Sequence, residues 1–307
     1  MPCKSPKGLS ANSSHNYMRN IKLTVEYDGT NYCGWQIQSH PSTPLRAGKV
    51  TLRLRSGQAK LPFDSAQGRQ SHKKKSIQET IEATLQRILC EKIRLIVSGR
   101  TDAGVHALGQ VANFKTNSRI SLRKLRWALN GLLPEDVVIT KTEEARPHFH
   151  SRFDARSKVY RYSILNRNYP AALLKNRVYF YPYPLDVQLM RRKARTLLGR
   201  HDFGAFCASG SSVKVTTRTI KRISIKKLPS CKGPLTCGLN GTGLLVVDIE
   251  ADGFLYKMVR NIVGTLIEIG RGKFPEDSLE KILLSRDRKL AGPNVPACGL
   301  YLLRVTY

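Results

Sequence analysis

The stretch "IRLIVSGRTDAGVHALGQVANF" (residues 93–114) consists of two apolar runs joined by a turn of small residues. The apolar runs predict two buried strands, and the glycines of the turn allow the backbone to bend and to be approached closely. Beside these glycines lie one acid, Asp102, and one guanidinium, Arg100. An aspartate in such a place can act as a nucleophile, a base or a metal ligand. The alternative is that Asp102 only caps the turn and pairs with Arg100.

On the amino-terminal side of this stretch, the sequence continues to alternate between strand and helix patterns. Residues 21–29 ("IKLTVEYDG") alternate as a strand and end in Asp-Gly, a turn signal. The tetrad "SIQE" is a capping box with Ser76 as N-cap and Glu79 at the third helical position, so a helix begins here. A second helix is predicted over roughly 121–130.

The second half of the chain repeats this organisation. Residues 158–165 ("KVYRYSIL") alternate as a strand, and "YKMVRNIVGTLIEIGRG" predicts a helix with Met258, Ile262 and Leu266 in line. Two halves of similar pattern predict an α+β fold in which antiparallel sheets are backed by helices.

The domain organisation follows from changes in apolar periodicity and composition along the chain. Residues 1–19 are predicted to be a disordered leader, 20–146 an N-terminal α+β domain and 147–307 a C-terminal α+β domain. Residues 38–75 have little apolar periodicity and many basic side chains, so we interpret them as a flexible insertion in the first domain. The insertion is either a solvated basic loop or an arm that contacts RNA.

The charge of the chain points to a polyanionic partner. The 307 residues include 52 Lys and Arg against 22 Asp and Glu, a net charge of +30. The segment 37–76 and the first 18 residues contribute +10 of this, which leaves +20 on the body of the protein. Because the excess is not confined to a tail, nucleic acid is the first partner to consider.

The cysteines and the hydropathy pattern limit the environment. The seven cysteines include no CxxC pair, which is typical of free thiols in a reducing cytosol, so we expect a cytoplasmic protein. The sequence contains no apolar run of about 18 residues, so no membrane span is expected. We also expect no metal site, since the residues do not group with the spacing of metal ligands.

Two further stretches carry unusual side chains. Arg260 interrupts an otherwise apolar helix pattern, and a buried cation needs an anionic partner; the alternative is an arginine whose head reaches solvent. Tyr160 and Tyr162 lie on one face of a predicted strand, where rings either stack on bases or pack in the core.

Several motifs together resemble one known family. "VEYDGTNYCGWQ", "GRTDAGVHALGQVANF", "FHSRFDARSKVYRYSI", "HDFGAF", "VVDIEADGFLYKMVRNIVGTLIEIGRG" and "GLYLLRVTY" follow in this order along the chain. They resemble the tRNA pseudouridine synthase A family over roughly residues 20–307, apart from the insertion. The resemblance implies the pseudouridine synthase fold.

The resemblance also implies a reaction and the residues that perform it. The family isomerises uridine to pseudouridine at positions 38, 39 and 40 of the tRNA anticodon stem-loop. By resemblance, Asp102 is the nucleophile, Arg260 pairs with it, and Arg100 assists extrusion of the target base. Tyr160 stacks on the extruded uracil and assists removal of the C5 proton. Attack of Asp102 at C6 and attack at C1′ both remain open.

Other expectations carry over in the same way. His106, Gln110 and His150 lie in matched motifs as substrate-binding candidates, although a structural role fits each of them equally. The resemblance implies tRNA as partner, a homodimer, and no cofactor. A non-catalytic RNA-binding protein on the same fold is the alternative. A glycosidase needs two paired carboxylates, and the central motif contains only Asp102.

Overall fold

The computed structural model describes residues 18–36, 74–210, 213–228 and 243–307. The expected leader and the expected insertion lie almost wholly outside these ranges. The described strands are β1 (Arg19–Tyr27), β2 (Ile96–Val97), β3 (His106–Thr116), β4 (Val137–Ala145), β5 (Ser157–Leu165), β6 (Tyr179–Phe180), β7 (Gly199–Asp202), β8 (Thr217–Lys227), β9 (Leu244–Ala251) and β10 (Leu300–Thr306). The helices are α1 (Ile77–Leu89), α2 (Leu122–Leu132), α3 (Val187–Ala194), α4 (Met258–Gly270) and α5 (Ser278–Ser285). Within these ranges, each helix is too short or too polar to cross a membrane.

The ten strands of the described residues belong to one sheet, in the order β4-β1-β3-β10-β5-β9-β8-β7, with β2 beside β3 and β6 beside β5. Most neighbours are antiparallel, as predicted, but β10 runs parallel to β3 and β6 parallel to β5. The halves therefore do not form separate sheets. They join because β10 pairs with β3 on one side and antiparallel with β5 on the other.

The core lies between this sheet and the helices. Along β1 the side chains of Ile21, Leu23 and Val25 are buried, whereas Glu26 on the opposite face is exposed, as the alternation predicts. Helix α2 packs on β4, and α4 packs on β5. This arrangement of sheet and helices confirms the α+β prediction.

Helix α1 begins at the predicted capping box. The Ser76 hydroxyl accepts a hydrogen bond from the Glu79 amide at 3.1 Å, and the Glu79 carboxylate accepts one from the Ser76 amide at 3.5 Å. Ile77, Ile81 and Leu85 are fully buried, so α1 contributes one apolar face to the core.

Helix α4 is buried on nearly every side. Met258, Ile262 and Leu266 are buried as predicted. A methyl group at Gly264 would lie 1.8 Å from the carbonyl oxygen of Pro293, so the absence of a side chain lets the segment before β10 pass directly over the helix. This close passage brings the carbonyl of Val295 to the polar end of Arg260.

Candidate active site

Asp102 lies in the loop between β2 and β3, and the backbone on both sides of it is held. The carbonyl oxygen of Thr101 accepts a hydrogen bond from the amide of Trp35 at 3.1 Å. The hydroxyls of Thr101 and Tyr27 are 2.7 Å apart and hydrogen-bonded. The amide of Val105 donates to the carbonyl of Asp102 at 3.2 Å and closes a turn. The carboxylate is therefore carried by a rigid turn.

Two positions of this stretch, Gly104 and Gly109, require glycine for different structural reasons. Gly104 has a φ of +77°, a backbone conformation that residues other than glycine rarely adopt. A methyl group at Gly109 would lie 2.5 Å from the carbonyl oxygen of Leu303, so Gly109 lets β10 approach β3. The space at Gly109 is occupied by the protein's own backbone.

The Asp102 carboxylate meets Arg260, which comes from the other half of the chain. Arg260 Nη1 lies 3.2 Å from Asp102 Oδ2, and Arg260 Nε donates to the carbonyl of Val295 at 2.7 Å. The Arg260 side chain is 12% exposed and that of Asp102 is 27% exposed. The pair is thus partly screened from water, while the carboxylate remains accessible.

Tyr160 lies on β5 beside this pair. Its ring is buried and makes an edge-on contact with Phe254, with 4.9 Å between ring centroids. Burial raises the pKa of Tyr160, and the neighbouring Tyr27 hydroxyl and Asp102 carboxylate raise it further. Tyr160 is therefore a neutral phenol at physiological pH.

Gln110 supports the loop from β3. Its side-chain carbonyl accepts a hydrogen bond from the Ser98 hydroxyl at 2.7 Å, and its amide donates to the carbonyl of Gly99 at 2.8 Å. The Gln110 side chain is completely buried. These contacts hold Ser98 and Gly99 against β3.

Lys158 is a second support, and the sequence patterns assigned no role to it. Its Nζ donates to the carbonyl of Ser98 at 2.5 Å. Burial, together with the charges of Arg152 and Arg218, lowers the pKa of Lys158 to about 8. One signal was available, because Lys158 lies two residues before Tyr160 and so shares its face of the strand.

Arg100 behaves differently from its neighbours. The backbone before and after it is held by the contacts at Gly99 and Thr101. Its side chain is exposed and forms no hydrogen bond or ion pair with any other residue that the structure describes. A long cationic side chain is thus free to move next to a fixed carboxylate.

His106 contacts residues other than Asp102 and Arg260. The ring stacks on Tyr301 with 4.7 Å between centroids, Nδ1 accepts from the Gly29 amide at 3.2 Å, and Nε2 lies 3.0 Å from the carbonyl of Asn176. Burial lowers the pKa of His106, although Asp28 at 3.1 Å opposes this effect. His106 lines a cavity of about 400 Å³ that also contains Asp28 and Tyr301.

His150 stabilises the segment after β4. Its Nδ1 accepts hydrogen bonds from the backbone amides of Arg152 at 3.2 Å and Phe153 at 3.3 Å, and its ring stacks on Phe153. These contacts do not bring His150 to the Asp102–Arg260 pair.

The arrangement suits covalent chemistry on an uncharged group. A carboxylate oriented by an arginine can attack an electrophilic carbon, and the buried ring of Tyr160 lies close enough to Asp102 for the carboxylate to raise its pKa. Among the residues that the structure describes, no group of three or more His, Cys, Asp and Glu side chains is placed to hold a metal ion.

Comparison with known proteins gives one consistent result. A family model described as tRNA pseudouridine synthase matches residues 62–154 and 194–307. A tRNA pseudouridine synthase A from Acetivibrio thermocellus is 42% identical over 290 residues, which cover 94% of this chain and all of the relative. A tRNA pseudouridine synthase A 2 from Clostridium perfringens is 40% identical, and a tRNA pseudouridine synthase A from Caldicellulosiruptor bescii is 39% identical, both with the same coverage.

The two matched ranges each contain one member of the central ion pair. Asp102 lies in the first range and Arg260 in the second, and they meet although 158 positions separate them in the sequence. The match therefore includes both sides of the site and about two thirds of the chain. On this ground the chain belongs to the tRNA pseudouridine synthase family.

Proposed function

We propose that this isomerase converts uridine to pseudouridine at positions 38, 39 and 40 of the tRNA anticodon stem-loop, with Asp102 as nucleophile. The contact between Asp102 and Arg260 carries the proposal. It orients a carboxylate in a partly dry site, where an uncharged base can reach it while the phosphates of the RNA are held elsewhere.

The reaction needs a nucleophile but no change in oxidation state. The N1–C1′ bond of the uridine breaks, a C5–C1′ bond forms, and one proton leaves C5 while another arrives at N1. Asp102 attacks either C6 of the uracil or C1′ of the sugar, and both routes pass through a covalent intermediate that divides one difficult step into easier ones. Arg260 holds the attacking carboxylate in one orientation.

The target base is stacked in the RNA and must be extruded to reach Asp102, at a cost of a few kcal/mol. We propose that Arg100 occupies the vacated space, because its side chain is exposed and free beside the fixed carboxylate. We propose that Tyr160 contacts the extruded uracil through its ring. Its raised pKa argues against a phenolate that takes the C5 proton.

We propose that the enzyme acts as a homodimer in the cytoplasm, with one tRNA in contact with both subunits. The net charge of +30 supports binding of a large polyanion. The apolar side chains of Leu108 and Val138 are 49% and 40% exposed, and both line the cavity that His106 also lines. Exposed apolar side chains at this place support a surface between subunits. The mass of the free protein in solution tests the dimer.

The experiment that tests the function is tritium release from tRNA that contains [5-³H]uridine. Isomerisation expels the C5 hydrogen, so we expect release by the wild type and none by Asp102→Asn, which keeps the shape of the side chain. A tRNA with cytidine at positions 38–40 is the control for the site of action. It should give no release.

The alternative of a non-catalytic RNA-binding protein predicts a different result. Such a protein binds tRNA but releases no tritium, and Asp102→Asn changes nothing measurable. Absence of tritium release when the wild type is incubated with tRNA that contains [5-³H]uridine would therefore overturn the enzymatic assignment of this chain. It would leave RNA binding as its function.

A further inference from the structure

Helix α2 exposes a tryptophan that the core does not use. Trp127 is 63% exposed, whereas Trp35, beside the catalytic loop, is completely buried. Leu125 and Leu129 form the buried face of α2. Trp127 lies on the opposite side of the helix and keeps most of its large ring in solvent, which is costly without a partner.

The segment of the chain around Trp127 is strongly basic. The Arg123 guanidinium lies over the Trp127 ring, 4.9 Å from its centroid. The segment 115–134 contains five basic residues and no acidic residue. These are Lys115, Arg119, Arg123, Lys124 and Arg126.

The acidic side chains on the neighbouring strand do not neutralise this surface. On β4, Glu143 lies 3.0 Å from Lys22 and 2.7 Å from Lys141, and Glu144 lies 3.2 Å from Arg19. Among the described residues, Arg123 and Lys124 form no ion pair. The outer face of α2 is thus a cationic surface with one aromatic ring at its centre.

We propose that the outer face of α2 is a second contact surface for the tRNA. Trp127 stacks on an unpaired base, and Arg123 and Lys124 hold the phosphates that flank it. The proposal rests on the proposed function only in taking tRNA as the partner.

The chemistry favours RNA over a protein partner. Unpaired bases of RNA are recognised by stacking on aromatic and guanidinium planes, with basic side chains along the backbone. Lysine is depleted in protein interfaces, whereas here Lys124 and Arg123 lie on the same face of α2 as the exposed ring. A base on the free face of Trp127 would complete a stack of guanidinium, indole and base.

The two tryptophans make the proposal directly measurable. Trp127 is exposed and Trp35 is buried, so quenching of tryptophan fluorescence on addition of tRNA reports mainly on Trp127. We expect quenching in the Asp102→Asn protein, which binds RNA without turnover, and loss of this quenching in Asp102→Asn/Trp127→Phe. Unchanged quenching in the double variant, or no quenching in either protein, would overturn the proposal.

Affinity gives an independent measurement. We expect Trp127→Ala to weaken binding of full-length tRNA roughly fivefold or more, since one base–aromatic stack is lost. Arg123→Ala/Lys124→Ala should flatten the dependence of affinity on salt. Leu284→Ala, at a side chain 81% exposed on α5, is the matched control and should bind like the wild type.

The outcomes separate this proposal from the proposed function. Loss of tRNA affinity in Trp127→Ala without any tritium release by the wild type would refute the enzyme and keep the RNA surface. Unchanged affinity in Trp127→Ala with a smaller mass in solution would show that a second copy of the chain occupies α2, and would refute the RNA surface. Thermal unfolding of Trp127→Ala and Trp127→Phe checks that both variants are folded.

Discussion

The Nζ atom of Lys158 donates a hydrogen bond of 2.5 Å to the carbonyl oxygen of Ser98. This contact connects β5, in the second half of the chain, to the loop that carries Asp102. The position of the Asp102 carboxylate therefore depends on two side chains from the second half of the chain. One is Lys158, which holds the loop, and the other is Arg260, which contacts the carboxylate itself.

Replacement of Lys158 by Met should reduce kcat more than it changes KM. The aliphatic part of the side chain is retained, but the hydrogen bond to Ser98 is lost and Asp102 is less well placed. A misplacement of about 1 Å can cost about a hundredfold in rate, so we expect kcat to fall at least tenfold. Steady-state tritium release measures both constants. Lys226→Met, at an exposed position on β8, is the control, and equal effects of the two variants would contradict the prediction.

The stability of the protein should depend on pH through Lys158. Its pKa in the folded protein, about 8, lies below the usual 10.5. Between these values the unfolded chain binds the proton and the folded protein does not, so the wild type gains stability relative to Lys158→Met as pH rises from about 8 to 10.5. Urea unfolding of both proteins at pH 7 and pH 10 measures this difference. A difference that stays the same or shrinks at the higher pH would show that folding does not lower the pKa of Lys158.

Removal of the Arg260 guanidinium should abolish catalysis while tRNA remains bound. Arg260→Ala leaves the Asp102 carboxylate without its orienting partner, so we expect tritium release to fall at least a hundredfold. The Kd for tRNA should change by less than about threefold, because Arg260 is 12% exposed and engaged with Asp102 and Val295. Equal losses of affinity and activity would instead identify Arg260 as a phosphate contact.

A methyl group at Gly34 should disturb the loop that carries Asp102. Gly34 has a φ of +107°, and a side-chain carbon there would lie 2.6 Å from the carbonyl oxygen of Thr101. We expect Gly34→Ala to destabilise the protein by about 1–3 kcal/mol and to reduce activity in the remaining folded protein. Urea unfolding and tritium release measure the two effects.

Gly131→Ala is the matched control for this variant. Gly131 lies in α2 with open space around its α-carbon, so alanine should stabilise the helix by up to about 1 kcal/mol. If Gly34→Ala and Gly131→Ala had the same stability in urea and the same rate of tritium release, the close approach at Gly34 would have no functional consequence.

Local sequence patterns predicted the elements whose signals lie within a few residues. The capping box at Ser76 and Glu79 placed the start of α1, and the apolar line from Met258 to Leu266 placed α4. In contrast, the pattern alone left Arg260 either buried or at the surface, and only the family resemblance suggested its contact with Asp102.

Features that depend on distant parts of the chain could not be predicted in the same way. The position of β10 between β3 and β5 arises from pairings with strands far away in sequence, which local periodicity does not encode. Lysine is normally exposed, so the partial burial of Lys158 was not expected from its residue type, and the exposure of Trp127 was equally unexpected.

The central position of β10 has a consequence for the order of folding. During synthesis, β3 and β5 leave the ribosome well before the strand that must lie between them, so neither can complete its pairing until residues 300–306 are available. Closure of the sheet is then a late, non-local step, of the kind that slows folding. The nascent chain therefore contains Asp102 and Tyr160 long before it can bring them together.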